Sequence, residues 1–173
     1  MKKLFLIVYL SLLSSINIVT ANTDIAIIDM EKIITLSKPG ASILKQLTEL
    51  NKKNIEYIKS EEKKIKEKEI KIISQKNILS DIEFKSSVDK LRLEISSHNK
   101  KKNKIISDFN LLKSTNTGKF FKLIDPILTK YSEEKSISVI FRKKNIVIGK
   151  TQLDISDEII TIINKDIKNF KIK

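Results

Sequence analysis

Few residues in this chain could do chemistry. There is one histidine, His98, and no cysteine. A two-histidine metal site, a thiolate zinc site, a thiol nucleophile and a disulfide framework are all excluded within one chain. Glu61-Glu62 and Glu133-Glu134 are carboxylate pairs, but adjacent positions on a helix point in different directions and make a poor acid–base pair. Three glycines leave no glycine-rich phosphate cradle. These residue types name no nucleophile–base constellation, so the reading is of a non-enzyme with no cofactor and no metal. Lysine remains. The chain holds 34 Lys+Arg against 21 Asp+Glu, a formal charge of +13 in 173 residues. The densest basic run is His98-Asn99-Lys100-Lys101-Lys102-Asn103-Lys104. Clustered bases attract anions. His98 itself falls in a helix seam and reads as a tolerated polar residue there, since a metal needs several partners.

The elements that must position these lysines begin with an address. Met1-Lys2-Lys3, the apolar stretch Leu4 to Leu13 and the small-residue site Val19-Thr20-Ala21 form a secretory signal pattern, with cleavage between Ala21 and Asn22. Ten apolar residues are too few to span a bilayer, which takes about 20. Cleavage removes Lys2 and Lys3, so +13 becomes +11. An exported chain makes a nucleic-acid partner a poor explanation of the charge. The run 98–104 also lacks the aromatic residues on which bases stack.

Residues 41–134 contain one glycine and one proline. Leu44, Asn51, Ile58, Ile65, Ile72 and Leu79 recur at intervals of seven, with companion positions Leu47, Asn54, Glu61, Lys68, Gln75 and Ile82, of which the middle ones turn polar. Phe84, Val88, Leu91, Ile95, His98, Lys102, Ile105, Phe109 and Leu112 recur at alternating four and three. Both are coiled-coil-type seams, interrupted by polar residues such as Lys68 and Lys102. Between them Ser80-Asp81-Ile82-Glu83 fits a capping box, which locates a hairpin tip near 77–84. The spacing predicts an outward helix over about 41–79 and a return over about 81–134. Ser114 to Gly118, and then Pro126, are expected to bend the return.

Flanking this arm, 22–40 and 135–173 read as one β-containing body. Residues 24–29 read as a strand, and Asp29 caps a short helix from Met30 to Leu36 that Ser37 to Gly40 break. Ile137, Val139 and Phe141 alternate as in a half-buried strand. Ile146-Val147-Ile148 reads as another, and Ser156 caps a last helix reaching about Asn169. The expected body core is Ile25, Ile27, Ile137, Val139, Phe141, Val147, Ile159 and Ile160. The fold class is α+β, helix-dominated: a small β-rich oligomerisation body with a long protruding helical hairpin. A body of 58 residues is marginal alone, so it is expected to oligomerise.

The residues then resemble the Skp/OmpH family of periplasmic chaperones. Ile25-Ala26-Ile27-Ile28-Asp29-Met30-Glu31-Lys32-Ile33-Ile34 resembles the family's opening. Asn77-Ile78-Leu79-Ser80 and Phe84-Lys85 resemble its arm tip. The run Ile137 to Ile148, followed by Leu153-Asp154-Ile155-Ser156-Asp157-Glu158-Ile159-Ile160 and Asn164, is similar to its ending. The resemblance implies a periplasmic, ATP-independent holdase. It implies a homotrimer whose arms surround a cavity for unfolded outer-membrane β-barrel proteins. It also implies affinity for anionic lipid or lipopolysaccharide, for which no residue-by-residue motif can be carried over.

On the arm, 21 basic and 14 acidic residues leave +7. A basic arm raises the encounter rate with acidic unfolded chains, and salt screens that attraction. The candidates for facing clients or anions are Lys68, Lys71, Lys76, Lys85, Lys90, Arg92, Lys100, Lys101, Lys102 and Lys104. A secreted structural or adaptor coiled coil is the alternative, and it would require a continuous apolar seam.

Overall fold

The computed structural model describes residues 24–168 and 170–172. The leader and the Ala21–Asn22 cleavage site lie outside the described residues.

Five β-prone residues form β1, Asp24–Ile28. Asp29 then caps α1, Met30–Leu36, its carboxylate accepting from the Glu31 and Lys32 amides. The break that follows is a single residue. Ser37 caps α2, Lys38–Ser74, and Pro39 and Gly40 lie inside its first turn. The expected four-residue breaker is therefore a helix start. Gly40 is there because α1 passes against it: a Cβ at this position would lie 2.3 Å from the Ile34 carbonyl oxygen.

Helix α2 has 37 residues and ends at Ser74, earlier than the seam suggested. Residues 75–80 make the turn. The capping box forms there. Ser80 Oγ accepts from the Glu83 amide, and the Glu83 carboxylate accepts from the Ser80 amide. Helix α3, Asp81–Glu134, then runs 54 residues, roughly 80 Å at 1.5 Å each. It passes Ser114 to Gly118 and Pro126 as one continuous helix. Packing carries it through. Phe120 and Ile124 are fully buried at the arm root, and Phe121, Ile127, Leu128 and Tyr131 pack half-buried around them.

Ser136, in the left-handed region at φ 54°, turns the chain from α3 into β2, Ile137–Arg142. β2 lies parallel to β1, with Ile25 opposite Val139 and Ile27 opposite Phe141. An extra residue interrupts the register between Asp24 and Ile25, where the β2 partner jumps from Ile137 to Val139. This bulge changes the expected alternation. Ile137 and Ile140 pack towards the helices with Ala26 and Ile28, while Val139 and Phe141 turn to the other face. Ile25, Val139 and Phe141 are thus 42, 41 and 42 % exposed in the single chain, on an outer apolar sheet face and not in its core.

The predicted strand at 146–148 does not form. Lys143–Asn145 is a 3-10 turn, and Val147 and Ile148 are 97 and 91 % exposed, with no strand beside them among the described residues. Ile27 stays buried because this loop crosses it. A Cβ on Gly149 would meet Ile27 Cδ1 at 2.7 Å. On the other edge of β1, Ile155 donates its amide to the Ile27 carbonyl.

Helix α4, Ser156–Asp166, ends three residues short of Asn169. Its cap also differs from the expectation. Asp154, not Ser156, accepts from the Ser156 amide, and the Ser156 hydroxyl bridges the Asp154 carboxylate and the Asp29 amide. Ile159 and Ile160 are buried in a core shared by β1, both short helices and the arm root.

Candidate client-binding arm

Polar interruptions in the seams are paired across the hairpin. Lys68 on α2 meets Glu94 on α3 at 2.5 Å, and Lys102 on α3 meets Glu62 on α2 at 2.7 Å. A half-exposed lysine in a seam is tolerated because its ammonium reaches a carboxylate of the other helix at the surface. The Lys102 hydrogen bond holds the Glu62 carboxyl below its ordinary range. Lys101 lies over the Tyr57 ring, 4.7 Å from its centroid, and bonds the phenol oxygen. Next to this layer His98 is largely buried, its Nε2 without a hydrogen-bond partner and 3.9 Å from Glu62 Oε1. Among the described residues no three histidine or carboxylate side chains gather as metal ligands.

The ten basic candidates therefore divide. Lys68, Lys101 and Lys102 engage the opposite helix, while Arg92 and Lys104 pair with Asp89 and Asp108 on their own helix. Lys71, Lys76, Lys85, Lys90 and Lys100 are exposed and have no acidic partner among the described residues. Lys68, Lys71 and Lys90 converge on one groove over Ile72 and Leu91 near the tip, of about 230 Å³. Lys85 and Lys90 lie beside Ile82 and Leu93 in a second, shallower groove. Lys76 sits in the tip turn, and Lys100 lies mid-arm, about 15 Å along α3 from Lys90.

Exposed aliphatic side chains share this surface. Ile70, Ile73, Ile78, Ile82 and Leu93 all project from the distal half of the arm, and Ile78 and Ile82 are 80 and 82 % exposed. Reading the seams alone missed Ile70, Ile73, Ile78 and Leu93, because they lie off the seam positions. The signal that could have found them is the excess of Ile and Leu beyond what two seams need. The arm so presents free cations and apolar side chains in alternation, on helices held by a small body. None of its described helices is long and apolar enough to cross a membrane.

The chain matches the model of the family described as outer membrane protein (OmpH-like) over residues 24–163. The chain belongs to the OmpH-like family. The match spans β1, the whole hairpin, β2 and most of α4, so family membership covers body and arm together. A solved structure from Caulobacter crescentus CB15, provisionally assigned as an OmpH-like outer membrane chaperone, superposes with a TM-score of 0.77. It covers 87 % of this chain and 89 % of that one at 10 % identity, so the fold is shared although few residues are. No curated protein matches the sequence.

Proposed function

We propose that this OmpH-like protein is an ATP-independent holdase of the periplasm, which keeps unfolded outer-membrane β-barrel proteins from aggregating. The observation that carries this reading is the mixed surface of the distal arm. Lys71, Lys76, Lys85 and Lys90, without acidic partners, stand beside Ile73, Ile78, Ile82 and Leu93, exposed where a stable monomer would have little reason to expose them. A holdase needs many weak contacts, each too weak to prevent release. Long-range attraction recruits an acidic unfolded chain, and the aliphatic side chains then give it apolar contacts.

The outer sheet face of Ile25, Val139 and Phe141, with Val147 and Ile148 nearby in sequence, supports association of several bodies. A homotrimer would place three arms around one client. The test is suppression of light scattering by an unfolded outer-membrane β-barrel diluted from urea, with particle mass measured on the same sample. The expected result is a soluble complex at one trimer per client, weakening severalfold as salt rises from about 0.05 to 0.5 M. A client that aggregates at the same rate with and without the protein would end this reading.

A further inference from the structure

The seam opens half-way along the arm. Where the neighbouring layers place Leu44, Leu47 and Ile58, α2 supplies Asn51 and Asn54, and these short amides share the lining of one gap with Ile105 and Phe109 of α3. They do not fill the interhelical space, so a slot of about 490 Å³ remains between the helices. That volume lies within the range of ordinary ligand pockets. Ile55 and Ile106, 43 and 46 % exposed, flank it, so its walls are apolar yet wet.

Two features of the rim select an occupant. Asn51, Asn54 and, on α3, Asn110 make no hydrogen bond to another described residue, so three amides with donor and acceptor capacity border an apolar slot. Lys59 stands on the rim without an acidic partner among the described residues, and Lys102 stands there paired to Glu62. An extended polypeptide matches this set. Its backbone offers a carbonyl and an amide to the asparagines at each residue, about 3.3 Å apart. Successive side chains point to opposite sides, so one bulky side chain enters the slot while a carboxylate two residues along, on the same side, lies near Lys59.

We infer that this mid-arm slot binds an extended polypeptide segment through one bulky apolar side chain with an acidic residue two positions away. The inference rests on the holdase reading and deepens it, by giving the arm a defined subsite in addition to its diffuse surface.

The test uses the full chain and a 12-residue peptide of otherwise alternating apolar and polar residues, carrying one tryptophan and, two residues on, one aspartate. Binding is read from the tryptophan emission shift and anisotropy. Asn54→Leu fills the slot with an apolar side chain. The expected result is a peptide affinity about five- to tenfold weaker, together with a higher melting temperature of the arm. A merely structural Asn54 would not give that pairing of lost affinity and gained stability. Ile106→Ser, which removes a wall at an exposed position, is expected to weaken the peptide severalfold without perturbing the fold. Affinity within twofold of the parent in both variants would overturn the slot. An equal affinity for a peptide with lysine in place of aspartate would overturn its acidic specificity. The full-length client assay on the parent protein separates the two claims. If the client is held but the variants bind peptide normally, the slot alone falls. If the parent holds no client, the holdase reading falls with it.

Discussion

Glycine to alanine should have opposite signs at two helical positions of this chain. At Gly40 an added Cβ would lie 2.3 Å from the Ile34 carbonyl oxygen and 2.8 Å from the Ile34 carbonyl carbon and Cα. Ordinary contacts begin at 3.4 Å, so α1 must retreat by about 1 Å. The obstacle is backbone, not a side chain that can rotate away. Ile33, Ile34 and Ile43, all in the core around this crossing, would shift with it. Overpacking costs about 1–3 kcal/mol, and a 2.3 Å approach to backbone belongs in the upper part of that range, about 2–3, which exceeds the ~1 kcal/mol that alanine gains over glycine in a helix. At Gly118, in the middle of α3, nothing lies within 4 Å of the added Cβ, so only the propensity gain applies. Gly118→Ala should therefore stabilise by about 0.5–1 kcal/mol. Gly40→Ala should destabilise by about 1–2 kcal/mol. Urea unfolding followed by circular dichroism, at one protein concentration for all three proteins, measures both. A Gly40→Ala protein as stable as the parent would refute the argument that α1 and α2 touch backbone to backbone there. A destabilised Gly118→Ala protein would refute the open space around α3.

Three other perturbations follow from the same structure. Phe120 is fully buried and packs edge-on to Phe170 with centroids 6.2 Å apart, so Phe120→Ala should cost about 3–5 kcal/mol in urea unfolding and loosen the arm root. Asp154 feels burial, which pushes its carboxyl up, but bonds from Lys143 and from the Ser156 hydroxyl and amide outweigh it and bring the value down to about 2. A folded value below the ordinary one stabilises the fold above about pH 4, and the benefit is lost as pH falls towards 2. That contribution is about 2 kcal/mol. Asp154→Asn should remove most of it at pH 7 and flatten this part of the acid-unfolding curve. Ser80→Ala deletes the side chain that caps α3 and should cost about 1 kcal/mol, read as faster amide hydrogen exchange around 81–84 with the body's exchange unchanged.

How far the sequence could be read depended on the range of the interaction concerned. Asp29, Ser80 and Glu83 act on amides two or three residues away, and the helix starts they predict form where expected. Ser156 looked like such a cap. It is the first residue of the helix, with Ile155 at the cap position. Its hydroxyl accepts from the Asp29 amide, 127 residues away, and Asp154 accepts from the Ser156 amide. The expected strand at 146–148 had the right residue types, but a strand also needs a neighbour to pair with, and none is beside it among the described residues. The alternation of Ile137, Val139 and Phe141 was visible, but the bulge that sends Ile137 to the opposite face from the other two was not. A register shift is a property of two strands together.

By itself the sequence determined the lack of cysteine, the excess of lysine, a long lysine-rich hairpin and the position of its tip. These follow from composition, from period and from contacts within one turn of helix. Tertiary structure alone decided which lysines remain available. Lys68 and Lys102 found carboxylates on the facing helix, 26 and 40 residues away, while Lys71, Lys76, Lys85, Lys90 and Lys100 found none among the described residues. It also decided that Asn51 and Asn54 border an open slot, since a gap exists only between two surfaces. Charge is counted along the chain, but its neutralisation depends on distance in space, and only the folded hairpin sets that distance.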